Sequence, residues 1–162
     1  MAMIPAERMV ATVLARVPYL NCAPFFHGLV LEEPWTWADC APRQLGAEAM
    51  AGRVAAGPMS LVDFVRLRDR FERRGHLGIA VRGRSGSALL FSRTPLRQLD
   101  GATIGVTEET STTAVLLRLI LEVRYELKPH TYQHGISEDA AAVLLIGDAA
   151  LTCPATSKHY TY

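Results

Sequence analysis

Short aliphatic runs alternate along this chain with stretches of helical spacing, and that alternation limits the fold more than any single motif does. Residues 9–17, 35–37, 77–81, 87–92, 102–106, 128–132 and 143–146 read as strands. Pro42 opens a helix with Leu45, Ala49 and Val54 on its apolar side and Gly57 at its end. Ser60 caps a second helix over 61–71, and 111–124 reads as a third, with Leu116, Leu117, Ile120 and Leu121 in the core. Pro24 begins a short helical turn through His27 and Gly28, and 95–99 forms another. Strand and helix in alternation predict βαβ units, an α/β fold and a mostly parallel sheet. Right-handed crossovers then gather the loops after the strands at one edge, where such sheets bind ligands. Residues 19–21, 58–60, 107–113 and 147–148 fall in those loops.

The loop 107–113 reads Thr-Glu-Glu-Thr-Ser-Thr-Thr and opens a helix whose body, 114–123, is nearly all aliphatic. A helix start points unpaired N–H groups and the positive end of its dipole at one spot, which suits a carboxylate or a phosphate. A simple N-cap needs one hydroxyl and is worth about 1 kcal/mol. Thr110, Ser111, Thr112 and Thr113 supply four, which favours an anion site. Glu108 and Glu109 read as dipole partners, which would repel an anion unless they point away. Asn21 both donates and accepts but is no base near neutral pH; its alternative is a turn asparagine. Ser60 is either a cap or a ligand donor. Asp148 either faces the ligand edge or caps the turn that follows it. Ser85 reads as a turn residue.

Lys and Arg total 17 against 16 Asp and Glu in 162 residues, a net charge of +1. That balance argues against nucleic acid or an acidic membrane as partner. Arg66, Arg68, Arg70, Arg73 and Arg74 are interleaved with Asp63, Asp69 and Glu72, so they read as a solvated helix face. Cys22, Cys40 and Cys153 form no CxxC pair, and His27, His76, His130, His134 and His159 lack metal-ligand spacing. Free thiols fit a reducing cytosol. The first residues hold no signal-peptide pattern, and no run approaches the ~20 apolar residues of a membrane span. A cytoplasmic protein with no metal is the expectation.

Seven fragments then stand in order: Tyr19-Leu20-Asn21-x-x-Pro24, Gly57-Pro58-Met59-Ser60, Gly78-Ile79-Ala80, 87–92, Pro95-Leu96 with Leu99, Thr110-x-Thr112-Thr113 before Leu116-Leu117-Arg118, and 144–148 with Ala150-Leu151. In this spacing the chain resembles the chorismate dehydratase family of the futalosine route to menaquinone. The resemblance implies a type II periplasmic-binding-protein-like fold, with two α/β lobes about a ligand cleft. Residues 1–87 would form the first lobe and 88–162 the second. Family members continue past the Ile-Gly-Asp strand, so the second lobe and the C-terminal return are expected to be incomplete, as in a truncated chain. The implied activity is that of a hydro-lyase converting chorismate to 3-(1-carboxyvinyloxy)benzoate and water without a cofactor. Carried over, Asn21 and Ser87 are catalytic, and Tyr19, Ser60, Thr110, Ser111, Thr112, Thr113 and Asp148 bind substrate. One departure is Val54-Ala55-Ala56, where the family pattern has an acidic residue.

The base stays open among His27, Asp148 and a carboxylate of the substrate. Other classes stay open too: a non-catalytic small-carboxylate module, the related pathway enzyme that makes 1,4-dihydroxy-6-naphthoate, and an inactive remnant. A cleft framework lacking its second half predicts exposed apolar surface and self-association into a homo-oligomer.

Overall fold

The computed structural model describes residues 12–153 and 160–162. Strands β1 (Thr12–Arg16) and β2 (Trp35–Asp39) pair in parallel, Thr12 opposite Trp35 through Arg16 opposite Asp39. The chain returns along the far edge of β1, where Ala15 N–H donates to the Ala56 carbonyl at 2.8 Å and Ala55 N–H to the Val13 carbonyl at 2.9 Å. Helix α1 (Pro42–Met50) starts with proline, whose missing N–H would be unpaired there in any case. Its Leu45 and Ala49 are fully buried. Leu45 closes a first core with Ala15, Val17, Cys22, Cys40 and Val54. A 3-10 turn (Leu20–Phe25) and helix α2 (Leu61–Arg66) border it.

The second part is a five-stranded sheet in the order β5-β4-β6-β3-β7. Its strands are β3 (Ala88–Ser92), β4 (Thr103–Val106), β5 (Thr131–His134), β6 (Ala142–Ile146) and β7 (Tyr160–Thr161). β4 runs parallel to β5 and β6, but β3 is antiparallel to both β6 and β7. The sheet is therefore mixed, which corrects the mostly parallel expectation. The register pairs Ala88 with Ile146, so Ser87 lies beside Gly147, whose N–H donates to the Ser87 carbonyl at 2.8 Å. Helix α3 (Thr112–Arg118) follows β4, and α4 (Gly147–Thr152) follows β6 with no intervening loop. Leu90, Leu99, Ile104, Val106, Leu117, Leu121, Leu127, Ala142 and Leu144 make a separate second core.

Several elements differ from the sequence pattern for visible reasons. Residues 77–81 form no strand: Leu77, Ile79 and Val81 alternate but are 79%, 53% and 55% exposed and gain no partner among the described residues. The first helix ends at Met50 because Gly52 takes a left-handed turn at φ +74°. The second ends at Arg66, and Arg70 folds back to donate to the Met50 carbonyl at 2.6 Å. The third widens after Arg118 into a π-helical stretch, Leu119–Arg124. That shift buries Leu117 and Leu121 but leaves Leu116 half exposed and Ile120 at the surface, against their expected place in the core. β5 begins three residues later than read, and residues 9–11 of the first predicted strand lie outside the described residues.

Leu121 is fully buried at the centre of the second core. Leu121→Ala is expected to cost about 2–5 kcal/mol of unfolding free energy in urea denaturation.

Candidate functional site

The two parts meet where the segments after β1 and β4 and the start of α4 come together, and their polar groups pair across the seam. Tyr19 O–H donates to Glu109 Oε2 at 2.5 Å. The Leu20 N–H donates to Asp148 Oδ1 at 3.0 Å. Asn21 Nδ2 donates to Ser87 Oγ at 3.3 Å. Val62 N–H donates to Thr112 Oγ1 at 3.0 Å, and Ser111 Oγ donates to Asp63 Oδ2 at 2.7 Å. The Arg43 N–H donates to the Glu109 carbonyl at 3.0 Å, while its guanidinium lies 3.2 Å from His134 Nδ1. The positions singled out in the sequence thus converge: Tyr19, Asn21, Ser60, Ser87, Ser111, Thr112 and Asp148 all make or adjoin this seam. Thr110 is buried beside it, and Thr113 sits in the first turn of α3.

Local sequence explains each placement. Gly147 holds φ +58°, and a side chain there would lie 2.8 Å from the Tyr19 ring. Only glycine lets that ring lie flat against the start of α4 and reach Glu109. Ser60 caps α2, accepting from the Asp63 N–H at 3.4 Å, and returns its own proton to Asp63 Oδ2 at 2.7 Å. This reciprocal Ser-x-x-Asp box fixes both side chains. Gly46 leaves room above Asp63, because an added Cβ would sit 2.7 Å from its carboxylate.

A serine or threonine hydroxyl has one proton to give. Ser87 and Thr112 accept from Asn21 and Val62, so their protons are free to donate. Ser60 and Ser111 give theirs to Asp63, so toward any further partner their hydroxyls act as acceptors. Asn21 Oδ1, Thr107 Oγ1 and Thr110 Oγ1 are buried without a hydrogen-bond partner among the described residues. Buried polar atoms are rarely left this way, which makes them candidates for ligand contact. Asp148 does not cap its own helix, as one reading had it, but holds the Leu20 turn. His27 is exposed at the rim of an open hollow of about 430 Å3, lined also by Arg16, Tyr19, Leu20 and Asp148. Ser85 and Glu108 make no contact across the seam among those found. Asp63 and Glu109 are the partners that reading for catalytic residues passed over; the Ser60-x-x-Asp63 spacing was the available signal for Asp63.

Burial first, then the hydrogen bond and charge of Glu109, push the Tyr19 phenol above its ordinary pKa. Tyr132 is pushed up to about 12 by burial and by Glu122. Burial and Asp148 likewise raise the Cys22 thiol. Among the described residues no cluster of three or more His, Cys, Asp or Glu offers a metal site, and no helix is long and apolar enough to cross a membrane.

These features define a mixed α/β protein with a polar seam between two cores, at the ends of parallel strands. A family profile described as menaquinone biosynthesis matches residues 12–162, and the chain belongs to that family. A chorismate dehydratase from Thermus thermophilus is 31% identical over 144 residues, covering 86% of this chain and 51% of that protein. The chain thus spans about half the length of this curated relative. The crystal structure of an Archaeoglobus fulgidus protein superposes with a TM-score of 0.61 at 20% identity, over 86% of this chain and 55% of the other. That likeness concerns the fold.

Both raised tyrosines hold their protons more tightly in the folded state than in the unfolded one. The stability they add is intact below the unfolded-state value of about 10 and drains as pH rises through their folded values. Melting temperature measured against pH is therefore expected to fall above about pH 10. Glu109→Gln should bring the Tyr19 titration back down, read by ultraviolet difference spectra of tyrosinate against the parent protein.

Proposed function

We propose that this chain is the substrate-holding part of a chorismate dehydratase, a hydro-lyase of menaquinone biosynthesis. On this reading the chain divides near residue 87 into two lobes of a periplasmic-binding-protein-like fold, with chorismate held between them in the cytoplasm. The separate cores, the strand-end seam and the dehydratase relative support it.

Chorismate carries two carboxylates, a ring hydroxyl and an enol ether. A proton leaves the ring carbon bearing the ether, and hydroxide leaves its neighbour. The ring becomes aromatic, so the reaction runs downhill and the barrier lies in the proton and the hydroxide. One carboxylate sits at the start of α3, against its first N–H groups and the hydroxyls of Thr110, Thr112 and Thr113. Ser87, with its proton free, and Asn21 supply hydrogen bonds to charge that develops on the departing oxygen. Tyr19 and Asp148 hold the turn that carries Asn21, and Ser60 and Ser111 line the facing side. Asp148 is committed to the Leu20 N–H. The ring proton passes instead to a carboxylate of the substrate itself, and the protein positions the groups and stabilises charge. No cofactor enters this scheme.

The Asn21–Ser87 contact carries the reading: it joins groups 66 positions apart and leaves a buried amide oxygen unpaired. Incubation with chorismate should remove its diene absorbance and yield an aromatic product. Asn21→Ala and Ser87→Ala are each expected to lower kcat by about 100-fold. If Asp148→Ala or His27→Ala abolished turnover with binding intact, a protein base would replace the substrate carboxylate. The shared length with the relative, about half, favours one second reading, a carboxylate-binding module; binding without turnover is its signature. Exposed Leu77, Ile79, Val115, Leu116, Leu119 and Val123 support self-association.

A further inference from the structure

One carboxylate oxygen, Asp63 Oδ2, takes the protons of two serines from opposite sides of the seam. Ser60 Oγ and Ser111 Oγ both donate to it at 2.7 Å. Asp63 is itself 8% exposed, and Arg66, 3.5 Å from Oδ1, touches the other oxygen. An ionised carboxylate only accepts, so the direction of both hydrogen bonds is set. We propose that Asp63 is a positioning residue that makes the Ser60 and Ser111 hydroxyls acceptors, so that this stretch of the seam takes a hydrogen-bond donor of the ligand rather than a carboxylate. The inference rests on the dehydratase reading, in which the donor is the ring hydroxyl of chorismate.

The physical argument has two parts. A ligand carboxylate facing the Ser60 and Ser111 hydroxyls would meet their lone pairs, with the Asp63 carboxylate behind them. A hydroxyl or an ammonium would find acceptors whose polarity that same charge strengthens. The opposite arrangement holds at Ser87 and Thr112, where accepted bonds free the protons. Two kinds of subsite therefore lie along one seam, the acceptor Ser111 next in sequence to the donor Thr112. Donor groups at Ser87, Thr112 and the start of α3 suit the carboxylates. The Asp63 stretch orients the ring hydroxyl. The same arrangement explains why four hydroxyls in a row do not all serve an anion.

The test compares chorismate with its analogue bearing an ammonium in place of the ring hydroxyl. That group only donates, and it does not leave as hydroxide. Affinities of the parent chain, Asp63→Asn and Ser111→Ala are measured by rapid-mixing tryptophan fluorescence, with melting temperatures alongside. The parent is expected to bind the analogue at least as tightly as chorismate. Asp63→Asn should weaken the analogue about tenfold more than chorismate, because an amide both loses the charge and releases a serine proton. Ser111→Ala should weaken both ligands through the lost acceptor. Equal weakening of both ligands by Asp63→Asn, or exclusion of the analogue from the parent, overturns the inference and leaves the dehydratase reading standing. Failure of the parent to bind chorismate at all removes both. A role of Asp63 in folding alone would shift the two affinities together and would not change their ratio.

Discussion

The apolar clusters of this chain do not merge. Ala15, Leu45 and Val54 pack in one, Leu99, Ile104 and Leu121 in the other, and the ground between them is held by hydrogen bonds from strand-end loops. Each such bond is worth about 1 kcal/mol net, but a buried partner left unsatisfied costs about 1–3 kcal/mol. The seam is therefore secured less by attraction than by the cost of breaking it. That constraint selects the residues found there. Gly147 admits the Tyr19 ring, Gly46 admits Asp63, and Ser60 closes a box that holds Asp63 in place.

Polarity along the seam is set by second partners that are not themselves obvious ligand groups. Ser87 and Ser111 are the same residue type, yet one accepts from an amide and the other donates to a carboxylate. Their usefulness toward a ligand is consequently opposite. A ligand that carries both hydrogen-bond acceptors and a donor matches such a division. The chain belongs to a family of menaquinone biosynthesis and is 31% identical to a chorismate dehydratase over 144 residues.

Much of this was legible in the residues. The aliphatic runs located six strands because β-branched and apolar side chains fill both faces of a covered sheet. Loop positions followed from the alternation, and they led to Tyr19, Asn21 and Asp148, whereas Ser87 was picked out by the family resemblance alone. Other features depend on tertiary partners that a local pattern does not contain. Residues 77–81 have strand composition but no neighbour to pair with in the described structure. The antiparallel placement of β3 comes from its docking between β6 and β7. The widening of the third helix after Arg118 changes which aliphatic residues face inward, and periodicity at 3.6 residues per turn has no means to register it. Hydroxyl count suggested an anion site at residues 110–113, but which hydroxyls retain a proton was decided by Asp63 and by the Val62 N–H, from the other side of the molecule.

The shared oxygen of Asp63 also bears on cooperativity. Melting the first core would take Ser60 and Asp63 with it and strand Ser111. Melting the second would strand Asp63, Tyr19 and the Leu20 amide. Partial unfolding on either side thus forfeits bonds on both, and a chain with separate hydrophobic centres should come apart in a single heat-absorbing transition.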